Sequence, residues 1–301
     1  EKENMVENIR IKNVSEYVKV VTDLNRGFYH PIAHLKTLYR GHSDNTWEVL
    51  PSAFRDYDDF LNERLYLREF QRELPNECSG LTYFDILVKA QHYGIPTRLL
   101  DFTLNPLVAL YFACEKNCDI DGQVLIFQNS AVFIQEEITF QLIIHYVFKY
   151  KHGVDWTSDM RRKLYKSVER DDDFYFIASE QLIENIFTAT GLPQFVLPKL
   201  SNDRIRAQQG AFAIFHTPVE KETEINKGKT RKFAVPKKDI DVGLKPSKII
   251  CIPACEKEKI LWELDCLGIN KAALFPELEP HATDIVRKIR LSNKEINQKN
   301  N

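Results

Sequence analysis

A chain of 301 residues, 44% hydrophobic and 28% charged, can bury a substantial core and lies near the upper size of one domain, so a single elaborated domain is expected. Its formal charge of −2 and pI near 6.5 exclude a protein that wraps nucleic acid with its whole surface. No apolar run is long enough to span a bilayer and the first residues have no secretory h-region, so a cytoplasmic protein without membrane contact is expected.

In chain order, Val14, Tyr17, Val18, Val21 and Leu24 recur at helical spacing behind Asn13 and Ser15, either of which suits the N-cap. The segment 34–41 reads as a strand, 46–54 as an irregular extended piece, and Asp58 to Leu74 as an amphipathic helix. Thr82 to Tyr93 reads as a helix ended by Gly94, with Pro96 forbidding its continuation. Asn105 followed by Pro106 pairs an N-cap residue with the residue best suited to the first helical position, so a buried helix over 107–116 is predicted. The runs 122–129, 210–217 and 247–254 read as strands. Between the first two, Ser130 to Leu192 reads mostly as helices and carries the acidic cluster Asp171, Asp172 and Asp173. The organisation expected is one domain over 1–301, with core segments 1–129 and 193–301 and a helical insertion at 130–192. A helix from Glu256 to Leu267 stopped by Gly268, and a last one over Ala282 to Leu291, complete the chain.

Several chemistries lack their carriers. The cysteines Cys78, Cys114, Cys118, Cys251, Cys255 and Cys266 do not form a tetrad of zinc-ligand spacing, so they read as reduced thiols and no metal is expected. No glycine-rich dinucleotide fingerprint, P-loop, zincin motif or nucleophile elbow is present. The densest basic run, Lys227 to Lys238, has six basic residues and no acid; it is either a solvated loop or a phosphate contact.

Three segments concentrate polar chemistry. Tyr39-Arg40-Gly41-His42 places a guanidinium at the end of a strand beside a glycine that lets a ligand or another backbone come close. Arg40 then either binds a phosphate or pairs with a carboxylate such as Asp101. Gln91 to Thr103 packs polar side chains, among them His92, Thr97, Arg98, Asp101 and Thr103, into an apolar stretch between helices. Such groups must bond to one another or face a pocket, and their density favours a pocket. In the third segment, Arg204 to Phe212, Gln208 and Gln209 enter a strand; their amides either read a ribose or base edge or cap the strand end.

YRG at 39–41, QHYGIPTRLLDFT with NP, AL and FA behind it at 91–113, RI and QQGAF at 204–212, and LGI with KA and LFPELE at 267–279 resemble, in this order, the motifs of the FRG domain family. That resemblance implies a bacterial or phage-linked setting, as a toxin or phage-defence effector. A more distant similarity is to the ADP-ribosyltransferases, which bind NAD in a split sheet. It implies an α+β fold with a small split or mixed sheet surrounded by helices, and an NAD-dependent ADP-ribosyl transfer to an unknown macromolecular acceptor. In that reading Arg40 and Arg98 clamp the pyrophosphate, Thr97 or Thr103 bonds the nicotinamide ribose, and Gly41, His92 and Gln208 complete the NAD-binding surface. Where such enzymes usually carry a catalytic glutamate this chain has Gln208 or Gln209. Asp101 is then the acidic stabiliser, with Gln209 placing the acceptor. The alternative is a non-catalytic module that binds a nucleotide or nucleic acid in a defence system. Partners implied are NAD, a protein or nucleic-acid acceptor, and an antitoxin or regulatory partner.

Overall fold

The computed structural model describes residues 8–26, 35–135, 140, 144, 193–200, 202–215 and 244–276. The Lys227 to Lys238 run, the Asp171 to Asp173 cluster, most of 130–192 and the expected helix over 282–291 lie outside the described residues.

The elements are β1 (Asn8–Arg10), α1 (Val14–Asn25), β2 (Leu35–His42), α2 (Tyr57–Glu73), α3 (Pro75–Cys78), α4 (Tyr83–His92), β3 (Leu99–Thr103), α5 (Pro106–Cys114), β4 (Gly122–Ile134), β5 (Gln194–Leu197), α6 (Asp203–Gln208), β6 (Gly210–Ile214), β7 (Lys248–Ile252), α7 (Lys257–Cys266) and α8 (Lys271–Leu274). Capping sets most helix starts. Asn13, Thr82 and Asn105 each accept from a backbone N–H of the first turn, and Thr82 forms a reciprocal capping box with Asp85.

The fold is α+β with one mixed sheet in the order β1-β7-β4-β2-β3-β6-β5. A further parallel pairing, Val132–Ile134 of β4 with Phe195–Leu197 of β5, joins the sheet to itself, so β4, β2, β3, β6 and β5 close into a five-stranded barrel with β7 and β1 appended to β4. Closure depends on the length of β4, whose strand conformation runs five residues past the 122–129 segment and into the expected insertion. The sheet is thus mixed, as expected, and closed on itself.

Alternation along the strands sorts side chains between the barrel interior and its outside. Leu38, Leu100, Phe102, Leu125, Phe127, Ala211 and Ala213 fill the interior, where the Phe102 ring meets Phe127 and Phe195 edge to face at centroid distances of 5.2 and 5.0 Å. Outside, Tyr39, Val124, Ile126, Ile250 and Ile252 take the helices α1, α5 and α7, while Leu99, Val196, Phe212 and Ile214 take α2 and α4. The two helix layers leave a gap over β3, and the outward residues of β3 that fall in that gap are Asp101 and Thr103.

Candidate functional site

That gap is a cavity of about 380 Å³, lined by Arg40 and Gly41 of β2, Gln91 and His92 of α4, Asp101 and Thr103 of β3, Phe112 of α5 and Glu115 and Lys116 just after it, Arg204 and Gln208 of α6, and by Trp47, Asn202 and Phe275. The volume is that of a small-molecule site. Of the residues singled out in the sequence, the structure brings Arg40, Gly41, His92, Asp101, Thr103 and Gln208 to it.

Arg40 follows Leu38 on the interior face of β2, at the mouth of the barrel. Strands β2 and β3 pair through one residue pair, Tyr39 with Thr103, and beyond it they splay. The Arg40 side chain fills the opening: its Nη1 donates to the Asp101 carbonyl at 2.5 Å and its Nε to His42 Nε2 at 2.9 Å. The contact runs to the main chain of Asp101, so the carboxylate pair left open by the sequence is not what holds Arg40. Among the described residues Nη2 has no partner. Burial lowers the Arg40 pKa to about 10, with Asp101 opposing and Arg55 adding to the shift, so the guanidinium stays charged at neutral pH. His42, 1% exposed, is pushed down to about 3, first by burial and then by Arg40 and Arg55. It is therefore the neutral imidazole that accepts from Arg40, and its Nδ1 is buried with no partner in hydrogen-bonding geometry, the Trp47 backbone only weakly opposing the shift.

Asp101 is exposed to the cavity and oriented by Gln91, whose Nε2 donates to Oδ2 at 2.8 Å while its Oε1 accepts from Thr97 Oγ1 at 2.8 Å. Oδ1 of Asp101 has no partner among the described residues. Thr103 Oγ1 donates to the Gln208 carbonyl at 2.6 Å and accepts from the Asn105 amide at 2.9 Å, tying the end of β3 to α6 and to the start of α5. Gln208 Nε2 donates to the Leu274 carbonyl at 3.0 Å, which anchors α8 over the cavity.

Three residues expected at the site do not line it. Arg98 is 4% exposed and turned the other way, with its Nε on Glu63 Oε2 at 2.8 Å and its own amide on Glu63 Oε1 at 2.7 Å. Its Nε and Nη2 are both spent on that buried carboxylate, and the side chain does not line the cavity, so Arg98 is not placed to meet a pyrophosphate there. Thr97 is fully buried, its hydroxyl on Gln91, and it acts on the cavity through Asp101 at one remove. Gln209 has φ 46° and ends α6 as a left-handed cap with its side chain exposed, so neither glutamine stands in the strand, which begins at Gly210.

Gly41 serves the second of the two uses a glycine has here. A Cβ on it would lie 2.0 Å from the Ala109 carbonyl oxygen, so what comes close is the backbone of α5. Glu63, Gln91, Arg204 and Phe275 were not picked out as site residues. Glu63 carried a signal: Phe60, Glu63, Leu67 and Phe70 form the buried stripe of α2, and a carboxylate in an apolar stripe demands a buried partner.

The YRG strand, the Gln91 to Thr103 segment and α5 thus form one wall system around one cavity, and residues 35–122 match the family model for the FRG domain. The chain carries an FRG domain. Its matched segment supplies Arg40, Gln91, Asp101 and Thr103, whereas α6, β6 and Phe275, which close the cavity, come from beyond it. No curated protein and no solved structure matches the chain. Among the described residues no cluster of three His, Cys, Asp or Glu is placed to hold a metal, and no helix is long and apolar enough to cross a membrane.

Proposed function

We propose that the FRG cavity binds a nucleotide, NAD in the first instance, and that the chain is an ADP-ribosyltransferase-like enzyme. The observation that carries the reading is that Arg40 and Asp101 meet in one cavity, each held by hydrogen bonds to its other atoms, with one guanidinium nitrogen and one carboxylate oxygen unpartnered among the described residues. A fixed guanidinium suits a phosphate, and the Trp47, Phe112 and Phe275 rings suit a base. In ADP-ribosyl transfer the bond from nicotinamide to the ribose breaks with its electron pair leaving on nicotinamide, and the acceptor forms a new bond to the same carbon. Of the two carboxylates lining the cavity, Glu115 faces Lys116, and Asp101 is the one assigned to the positive charge that develops on the sugar, in the manner of electrostatic stabilisation at a preorganised site. Arg98 and Gln209 have no part in this version of the site, and Thr97 enters it only by holding the Gln91 that orients Asp101. The acceptor is a macromolecule in the setting the family resemblance implies, a toxin or phage-defence effector.

Titration calorimetry with NAD and an assay of nicotinamide release test the proposal together. Arg40→Lys keeps the charge and loses the planar fork, so affinity falls about tenfold or more with little change in melting temperature. Asp101→Asn keeps binding and loses turnover by about a hundredfold. Binding that survives with no turnover in the parent chain leaves a non-catalytic nucleotide module, and indifference to millimolar NAD overturns the proposal.

A further inference from the structure

A second guanidinium lines the cavity. Arg204 stands in the first turn of α6, and its guanidinium carbon lies 4.6 Å from the centre of the Phe275 ring. A guanidinium held over a ring by a cation–π contact is restrained before any ligand arrives. Among the described residues the Arg204 side chain has neither a hydrogen bond nor an ion pair. Its neighbour Arg206 differs, bonding the Leu200 carbonyl and facing Asp203. Lys116, also at the cavity, is balanced by Glu115 at 3.5 Å.

The stack is built from both sides. Asn202 Oδ1 accepts from the Arg204 amide at 2.7 Å, and the Phe275 ring is braced by Phe112 and by the Gln208 bond to the Leu274 carbonyl. A partly buried cation held over a ring, with no hydrogen bond or ion pair among the described residues, is preorganised for an anion. Strand order separates the two arginines: β3 lies between β2, which carries Arg40, and β6, against which α6 packs. Both guanidiniums line the one cavity, so two phosphoryl groups of a single ligand can be met from its two sides.

We infer that Arg204 is the second anion-binding side chain of this cavity and that the ligand class is a nucleotide bearing a diphosphate, held between Arg40 and Arg204 across β3. This rests on the nucleotide reading of the Arg40 site and deepens it.

The test is titration calorimetry of the full chain with AMP, ADP and NAD, on the parent and on Arg204→Gln, Arg204→Lys and Phe275→Leu, with melting curves as fold controls. The parent prefers ADP and NAD over AMP by about tenfold or more, the scale of one charge-assisted contact, and Arg204→Gln erases that preference. Arg204→Lys and Phe275→Leu each lose part of it, and they carry the same test if Arg204→Gln does not fold. An ADP-over-AMP ratio unchanged by all three substitutions, while Arg40→Lys weakens both ligands, overturns the diphosphate inference and leaves the Arg40 reading standing. A parent chain that binds none of the three nucleotides overturns both.

Discussion

Arg98, just before β3, and Arg40, on β2, read alike in the sequence, yet the structure gives them opposite surroundings. Arg98 and Glu63 are a buried ion pair at 4% and 2% side-chain exposure, reinforced by the Arg98 amide on the same carboxylate. Removing one partner of such a pair strands the other, so Arg98→Ala costs about 3–5 kcal/mol in denaturant unfolding, whereas Arg98→Met combined with Glu63→Leu restores most of the loss. Nucleotide affinity in the double variant stays at the parent value. A double variant that folds and has lost binding would return Arg98 to the site. The polar run at 91–103 was legible as a place where buried groups needed partners, but which of them turned to the cavity was not. That choice depends on strand alternation in β3, which sends Leu100 and Phe102 inward and Asp101 and Thr103 outward, and on a carboxylate thirty-five residues earlier in the chain.

At the scale of elements, α5 sits on two glycines. Ala109 and Ala113, one turn apart, press on β2 and β4 so closely that a Cβ on Gly41 would meet the Ala109 oxygen at 2.0 Å and the Ala113 nitrogen at 2.7 Å, and one on Gly122 the Ala113 oxygen at 2.3 Å. These are backbone atoms of a buried helix, which cannot move aside singly. Gly41→Ala therefore destabilises by about 3 kcal/mol or more and shifts the outer layer that frames the cavity, measurable as a lowered melting midpoint with reduced α5 amide protection in hydrogen exchange. A variant that melts at the parent temperature would show that α5 is not seated as described. Helices with side-chain caps were legible, because Asn13, Thr82 and Asn105 announce their starts locally. Strands β1, β3 and β5, of three to five residues, were not read as strands from pattern. The partner of β1 is remote in sequence, β3 breaks its apolar run with Asp101, and β5 has only four residues. The two glutamines before Gly210 read as a strand entrance, whereas Gln208 ends the six-residue α6 and the left-handed backbone at Gln209 separates helix from strand.

For the whole molecule, closing the barrel has a consequence at its mouth. Leu38, Arg40 and His42 alternate onto the interior face of β2, so the end of an apolar barrel is plugged by a charged guanidinium and an imidazole that must stay neutral to accept its Nε–H. An imidazole with an unfolded pKa near 6.5 and a folded value of about 3 binds its proton in the unfolded chain first. Between those values the unfolded state holds more protons, so stability rises with pH and is lost as pH falls from about 6.5 towards 3. At 1.36 kcal/mol per unit this amounts to about 2 kcal/mol between pH 7 and pH 5 from His42 alone. Exposed carboxylates such as Asp44, whose pKa is lowered by the Thr46 hydroxyl and amide, also lose stabilisation on acidification, so the parent curve by itself does not isolate the imidazole. His42→Gln does, since its amide oxygen accepts from Arg40 without titrating. Urea unfolding of parent and His42→Gln at pH 7 and pH 5 should give a difference between them that shrinks by about 2 kcal/mol on acidification, the variant losing less. Parallel losses in the two chains would mean that His42 is not held neutral in the barrel mouth, and the orientation of Arg40 would then need another source.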